Sequence, residues 1–181
     1  LQGICPDEVT FVCALKACRN MGNINKGCEI HIELERKGLL RNNLILASSL
    51  VDMYAKCGAL AKAKQILDEL PIRDAVSWSS LIVGYANQGQ GEEALKCFEQ
   101  MQQEGLSPDE VSFICILKSS GRIAAMDIGH QVHCEIERKG ILLESNLVLG
   151  NALIGFYTKG GLLVTAKKVF ERLPTRDIVS W

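Results

Sequence analysis

Apolar residues along the chain recur mostly at intervals of three and four, and the stretches that carry this period are as long as helices. Ala75 to Gln88 and Glu92 to Glu104 are two of them, separated by Gly89-Gln90-Gly91, with Leu95, Phe98 and Met101 on one face of the second. The second stretch ends at Gly105, a helix stop, followed by Pro108, which cannot continue a helix. Runs that alternate apolar and polar residues are scarce, so strands are not expected. The pattern predicts helix, turn, helix, repeated along the chain.

The repetition can be read in the letters. Pro6-Asp7-Glu8-Val9 returns as Pro108-Asp109-Glu110-Val111, and Glu35-Arg36-Lys37-Gly38 returns as Glu137-Arg138-Lys139-Gly140, both at an offset of 102. One inserted residue later, Leu70-Pro71-Ile72-Arg73-Asp74-Ala75-Val76-Ser77-Trp78 returns as Leu173-Pro174-Thr175-Arg176-Asp177-Ile178-Val179-Ser180-Trp181 at an offset of 103. The breaks define units 8–43, 44–74, 75–109, 110–146 and 147–177, of 36, 31, 35, 37 and 31 residues. Residues 1–7 match the tail of a preceding unit, because Gly3-Ile4-Cys5-Pro6-Asp7 parallels Gly105-Leu106-Ser107-Pro108-Asp109, and residues 178–181 match the opening of a following one.

One helix pair cannot bury its apolar stripe alone, so neighbouring pairs must stack. The expected fold class is all-α, an α-solenoid of stacked helix-turn-helix repeats (an alpha-alpha superhelix) whose first helices line a concave surface. At the interhelix turn, Gly58 precedes Ala63, Gly89 precedes Ala94 and Gly161 precedes Ala166 at one shared interval. These small residues are expected to let two backbones approach closely.

Composition narrows the partners. With 48% hydrophobic and 23% charged residues, disorder is excluded. No apolar run approaches the roughly 18 residues of a membrane span. Twenty Lys+Arg against 21 Asp+Glu leave a net charge of −1, so nucleic-acid binding through overall basicity is excluded and would have to come from local placement. Of the eight cysteines no two lie three apart, and most sit in apolar helical runs; they read as reduced core residues.

The phrases Val51-Asp52-Met53-Tyr54-Ala55-Lys56-Cys57-Gly58 and Asp177-Ile178-Val179-Ser180-Trp181, set in units of unequal length, resemble the pentatricopeptide repeat family and within it the plant subclass of alternating P, L and S units. The units then read as L (8–43), S (44–74), P (75–109), L (110–146) and S (147–177). The tetratricopeptide repeat is the nearest rival, since Trp78, Leu81, Tyr85, Ala94 and Phe98 partly meet its pattern. Ile82 stands where its glycine belongs, Pro108 falls two residues late, and the unequal units do not keep its fixed period.

The resemblance implies a segment that binds single-stranded RNA in a mitochondrion or chloroplast, one unit per nucleotide, with the fifth and last residues of a unit reading the base edge. The matching pairs are Ser48 with Asp74, Ser79 with Asp109, and Asn151 with Asp177; by resemblance Ser with Asp favours guanine and Asn with Asp favours uracil. An exposed base edge offers donors and acceptors that such side chains can match. Val12 with Asn43 and Ile114 with Asn146 depart from the pattern, because an aliphatic chain cannot hydrogen-bond a base; these units are expected to act as spacers or to discriminate weakly. The implied core is 5′-NGGNU-3′. The second residue of each unit, Val9, Ile45, Val76, Val111 and Val148, corresponds to the family's base-sandwiching position, although periodicity alone makes these residues ordinary core. Lys56, Arg122 and Lys159 recur near the end of the first helix, where a cation could meet phosphate, while Asn20 and Asn87 hold that place elsewhere. Asp74, Asp109 and Asp177 also stand where an aspartate caps the next helix, and the two roles are compatible because a carboxylate has two oxygens.

Two further readings stay open. A helical scaffold binding a protein segment, in the manner of tetratricopeptide arrays, suits the neutral charge. By resemblance, the full-length protein would supply an address for C-to-U RNA editing or another processing event, alongside other RNA-processing proteins. His31-Ile32-Glu33 and His133-Cys134-Glu135 spell half of a zinc deaminase signature, but the P-C-x-x-C half is absent, so both are read as structural. Cys28 with His31, and His130 with His133, have metal-ligand spacing without a second pair to close a zinc site. No enzyme, metal or other cofactor is expected. The apolar ends suggest an internal segment of a longer protein, with any transit peptide outside it, and predict end-to-end association of the segment alone.

Overall fold

The computed structural model describes residues 6–41, 43–141 and 146–173. Asp177 and residues 178–181 lie outside them, as do residues 1–5 of the expected opening tail. The described residues form ten α-helices and no strand: α1 (Glu8–Met21), α2 (Ile24–Arg36), α3 (Leu44–Lys56), α4 (Leu60–Glu69), α5 (Ala75–Asn87), α6 (Gly91–Gln103), α7 (Glu110–Ile123), α8 (Met126–Arg138), α9 (Leu147–Lys159) and α10 (Leu163–Glu171). Among them, no helix is long and apolar enough to cross a membrane. Two helices fall in each expected unit, and the chain groups into two compact units divided between Gly84 and Tyr85, inside α5.

Local chemistry explains where the first helices begin. Asp7, Asn43, Asp109 and Asn146 each accept the backbone N–H three residues on, from Thr10, Leu46, Ser112 and Leu149, at 2.8 to 3.0 Å. Asp74 does the same for Ser77 at 2.9 Å. The residue expected to close a unit is therefore, at these five places, the amino-terminal cap of the helix that follows, which satisfies donors that a helix start would otherwise leave unpaired. The second helices α4, α6, α8 and α10 have no side-chain cap. They follow a tight turn instead.

That turn corrects one expectation. Gly58, Gly89 and Gly161 hold φ of +84°, +75° and +73°, and a Cβ added at Gly89 or Gly161 would meet nothing within 4 Å. Glycine is needed there for left-handed backbone, not for close approach. Close approach belongs to the partner five residues on: Ala63 and Ala94 are fully buried and Ala166 nearly so. In the long units the same place is Gly27 or Gly129, where a Cβ would lie 2.5 Å from Met53 Cε or overlap the Phe156 ring.

In the first compact unit α1 packs beside α3, while α2 touches both and α4 covers α3. Leu15, Leu34, Leu46, Leu50, Val51 and Leu67 are fully buried there. Asp52 on α3 ties the first helices together, taking Arg19 Nη1 of α1 at 2.5 Å and Ser80 Oγ of α5 at 3.0 Å. In the second unit α7 packs beside α9 and against α6 and α8, and α10 covers α9. Phe98, Phe113, Ile116, Leu117, Val132, Leu153 and Tyr157 fill its interior, with Phe98 and Phe113 meeting edge to face at 6.4 Å. All-α stacking of hairpins, first helix beside first helix, is thus present within each unit.

Candidate nucleic-acid interface

The second residue of every repeat lies in the first turn of its first helix, and burial decides what it is not. Val9, Ile45, Val76, Val111 and Val148 are 54 to 69% exposed, so they do not belong to the core to which periodicity alone assigns them. Five aliphatic side chains left largely in water at equivalent places contribute little to folding. On a helix, the fifth residue of the repeat lies three further along, on the same face as the second.

At those fifth positions the side chains differ sharply. Ser48 on α3 is nearly buried, and its Oγ lies 2.6 Å from Asp74 Oδ2 and 2.7 Å from the Leu44 carbonyl. Asp74 divides its oxygens: Oδ1 accepts the N–H and hydroxyl of Ser77 at 2.9 and 2.6 Å, while Oδ2 faces Ser48. Capping and pairing therefore coexist on one carboxylate. Ser79 is nearly buried on α5, in the first compact unit, and Asp109 caps α7, in the second. Asn151 is half-buried on α9, and its expected partner Asp177 lies outside the described residues.

The long units are built differently. Val12 and Ile114 are half-buried and offer no polar atom. Asn43 caps α3 with Oδ1 and donates its Nδ2 to Glu8 Oε2 at 2.5 Å; Asn146 caps α9 with Oδ1 and donates Nδ2 to Glu110 Oε2 at 2.5 Å. The same three-residue device thus appears twice, and sequence reasoning missed its acidic member.

Lys56, Arg122 and Lys159 are exposed at the ends of α3, α7 and α9. Beside α9 a cleft of about 410 Å³ is lined by Leu117, Lys118, Val148, Asn151, Phe156 and Lys159, among others. Its walls combine an exposed aliphatic, a carboxamide, an aromatic residue and two ammonium groups. Lys118 also follows the repeat register, since Lys16 and Lys118 recur at the offset of 102 and both are exposed.

The residues with metal-ligand spacing serve another purpose. His31 Nδ1 lies 3.1 Å from Tyr54 Oη, which also reaches Cys28 Sγ at 3.4 Å. Tyr157 Oη lies 2.6 Å from His133 Nδ1 and 3.3 Å from His130 Nδ1. Each pair three residues apart on a second helix thus embraces one tyrosine hydroxyl of the next repeat. Burial pushes His31 and His133 below the ordinary imidazole value, with Glu35 and Glu137 opposing it. The Tyr157 hydroxyl is pushed up to about 12 by its burial. The glutamates of the two H-x-E triplets are held by arginine: Arg36 bonds Glu33 at 2.9 Å and Arg138 bonds Glu135 at 2.6 Å, and both carboxyls are lowered chiefly by those bonds. Among the described residues no three potential ligands gather around a metal-sized space.

Comparison with known proteins follows the same lines. A model described as a PPR repeat family matches residues 73–121, and one described as a PPR repeat matches residues 46–73 and 151–178. A chloroplastic pentatricopeptide repeat-containing protein of Arabidopsis thaliana is 39% identical over 99% of this chain and 33% of its own length. A putative mitochondrial one from the same plant is 38% identical over 97% of this chain and 28% of its own. The chain thus spans a third or less of these relatives. Among solved structures, the pentatricopeptide repeat protein PPR10 in complex with an 18-nucleotide psaJ RNA element superposes with a TM-score of 0.69 at 25% identity, over 93% of this chain and 25% of that one. The PPR domain of Arabidopsis protein-only RNase P 1, in complex with tRNA, reaches 0.68 at 15% identity over 92% of this chain and 90% of that one, a likeness of fold alone.

Proposed function

The chain belongs to the pentatricopeptide repeat family, an α-solenoid architecture, and from that premise we propose that it binds single-stranded RNA through the first helices of its repeats and reads part of the sequence. The observation that carries this reading is the cleft beside α9. Its volume of about 410 Å³ lies within the range of small-ligand sites, roughly 300–1,000 Å³. On this reading Val148 supplies an apolar surface for a base face, Asn151 a carboxamide for a base edge, and Lys118 and Lys159 two ammonium groups for a backbone phosphate. The bond between Ser48 and Asp74, three residues along from the exposed Ile45, supports the same arrangement on α3.

On this reading the repeats run L-S-P-L-S over 8–43, 44–74, 75–109, 110–146 and 147–177. Ser48 with Asp74 and Ser79 with Asp109 read guanine, Asn151 with Asp177 reads uracil, and the two long units contribute little selectivity, giving 5′-NGGNU-3′. The role is that of an address reader in an organellar RNA-processing factor, C-to-U editing being the proposed event, in a chloroplast or mitochondrion like those named for its relatives. Equilibrium binding to RNA carrying the core, compared with RNA in which both guanines are adenine, tests it. We expect at least a tenfold preference for the guanine form, about 1.4 kcal/mol. A salt series should give a log–log slope of about −2 for three neutralised phosphates on a single strand. Equal affinity for the two RNAs would reject the base assignment; competition by poly-adenosine at equal strength would favour a protein-binding scaffold.

A further inference from the structure

The last residue of a repeat carries two polar side-chain atoms, and its cap uses one. What happens to the second differs between the repeat types. In the short unit 44–74 it is Oδ2 of Asp74, which faces Ser48 at 2.6 Å. In the long units it is the Nδ2 of Asn43 or Asn146, and a glutamate at the first position of the same unit takes it, Glu8 or Glu110, each at 2.5 Å. The cap fixes the amide's orientation, because only Oδ1 can accept the N–H of Leu46 or Leu149. One N–H of the amide is thereby committed to a carboxylate.

The chain's own sequence keeps to the corresponding rule. Where the first residue is Glu (Glu8, Glu110), the last is Asn (Asn43, Asn146); where the first is Leu or Ala (Leu44, Ala75, Leu147), the last is Asp (Asp74, Asp109, Asp177). Electrostatics accounts for it: an aspartate in the long unit would set two carboxylates against each other, whereas an amide donates to the glutamate. A helix's preference for acidic residues in its first turn would explain Glu8 and Glu110 but not the amide 35 or 36 residues later.

We propose that Glu8 and Glu110 are specificity-determining residues that lock the last side chain of each long unit and so withdraw that unit from base reading. This rests on the RNA-binding reading above. The lock makes a long unit silent twice over, once through the aliphatic Val12 or Ile114 and once through the captured asparagine. Restoring a hydroxyl alone is therefore insufficient. Both Ile114→Ser and Glu110→Leu are required, leucine being what Leu44 and Leu147 already supply at that position.

The test uses the whole 181-residue chain and RNAs that vary the fourth base of the 5′-NGGNU-3′ core. The parent and Ile114→Ser should discriminate less than about twofold among the four bases, whereas the double variant should gain about tenfold for one of them, the worth of one hydrogen bond. Full discrimination by Ile114→Ser alone, or none in the double variant while the parent still prefers guanine at the second and third bases, would overturn the lock. A parent without any guanine preference would bring down the RNA reading instead, and the lock is then judged by NMR. One side-chain amide proton of Asn146, hydrogen-bonded to Glu110 in the parent, should exchange with solvent more slowly there than in Glu110→Leu. Equal exchange in the two proteins would refute it.

Discussion

Replacing Asp74 by asparagine separates the two duties of that carboxylate. Oδ1 remains an acceptor, so the Ser77 N–H at 2.9 Å and the fully buried Ser77 hydroxyl at 2.6 Å keep their partner. The new N–H₂ faces Ser48, which can accept from it while sending its own proton to the Leu44 carbonyl at 2.7 Å. No buried group is left unpaired. The stability cost is then only the charge at a helix amino terminus, about 0.3–1 kcal/mol. Asp74→Ala, in contrast, forfeits the cap, about 1 kcal/mol, and strands the Ser77 hydroxyl for about 1–3 kcal/mol more. In a chain of this size each kcal/mol moves the melting temperature by about 2–4 °C, so calorimetry or circular dichroism resolves the two variants. RNA selectivity should show the opposite order of effect for asparagine. Guanine presents N–H donors at N1 and N2 to a carboxylate, whereas adenine presents an acceptor at N1; exchanging Oδ2 for N–H₂ should shift the second core base from guanine towards adenine by about tenfold, close to 1.4 kcal/mol. An Asp74→Asn protein that melts like the parent and still prefers guanine to the same extent would show that Oδ2 serves Ser48 alone, and the base-reading role of this residue would be wrong.

Two other changes follow from the geometry. Ala124 occupies φ +56° where the equivalent Gly22 occupies +65°, so Ala124→Gly should relieve about 1–2 kcal/mol of left-handed strain against about 0.4–1 kcal/mol of added unfolded-state entropy, and raise the melting temperature by a few degrees; a decrease would refute the strain. His31 and His133 are held below the ordinary imidazole value of 6.5 by burial, so the unfolded chain binds their protons more readily; their contribution to stability is complete above about pH 6.5 and is lost as pH falls through the lowered folded values. Urea midpoints should drop between pH 6.5 and 5, and a His31→Gln, His133→Gln protein should lose that part of the dependence.

What could be read in the letters was whatever the repeat register carries. Helix pairs, the capping aspartates and the Ser48–Asp74 pair lie at fixed places in a repeated frame, so alignment of the chain with itself brings together residues 26 apart that no local pattern would join. The exposed aliphatics were harder. Val9, Ile45, Val76, Val111 and Val148 fit the core period as well as a buried residue does, and only their 54 to 69% exposure separates the two meanings. The Glu8–Asn43 and Glu110–Asn146 bonds are not legible in the letters, because a first-turn glutamate is already accounted for by the positive end of the helix dipole.

The glycines show why composition at a turn underdetermines its physics. A glycine can be required because nothing larger fits or because φ is positive, and the letter is the same in both cases. Gly89 stands in the interhelix turn of one repeat and Gly129 in the second helix of the next, yet Gly89 has open space around it and a φ of +75°, whereas Gly129 faces the Phe156 ring with ordinary helical backbone. Ala124 separates the causes. It tolerates the left-handed place that glycine holds in the other repeats, at a cost in strain, because a Cβ there needs only room. At Gly129 the aromatic ring has already taken that room. Substitution at the left-handed turns therefore trades about a kcal/mol of backbone energy, while substitution at Gly129 forces the ring of Phe156 to move, and with it the packing of α8 on α9 that brings His130 and His133 to Tyr157.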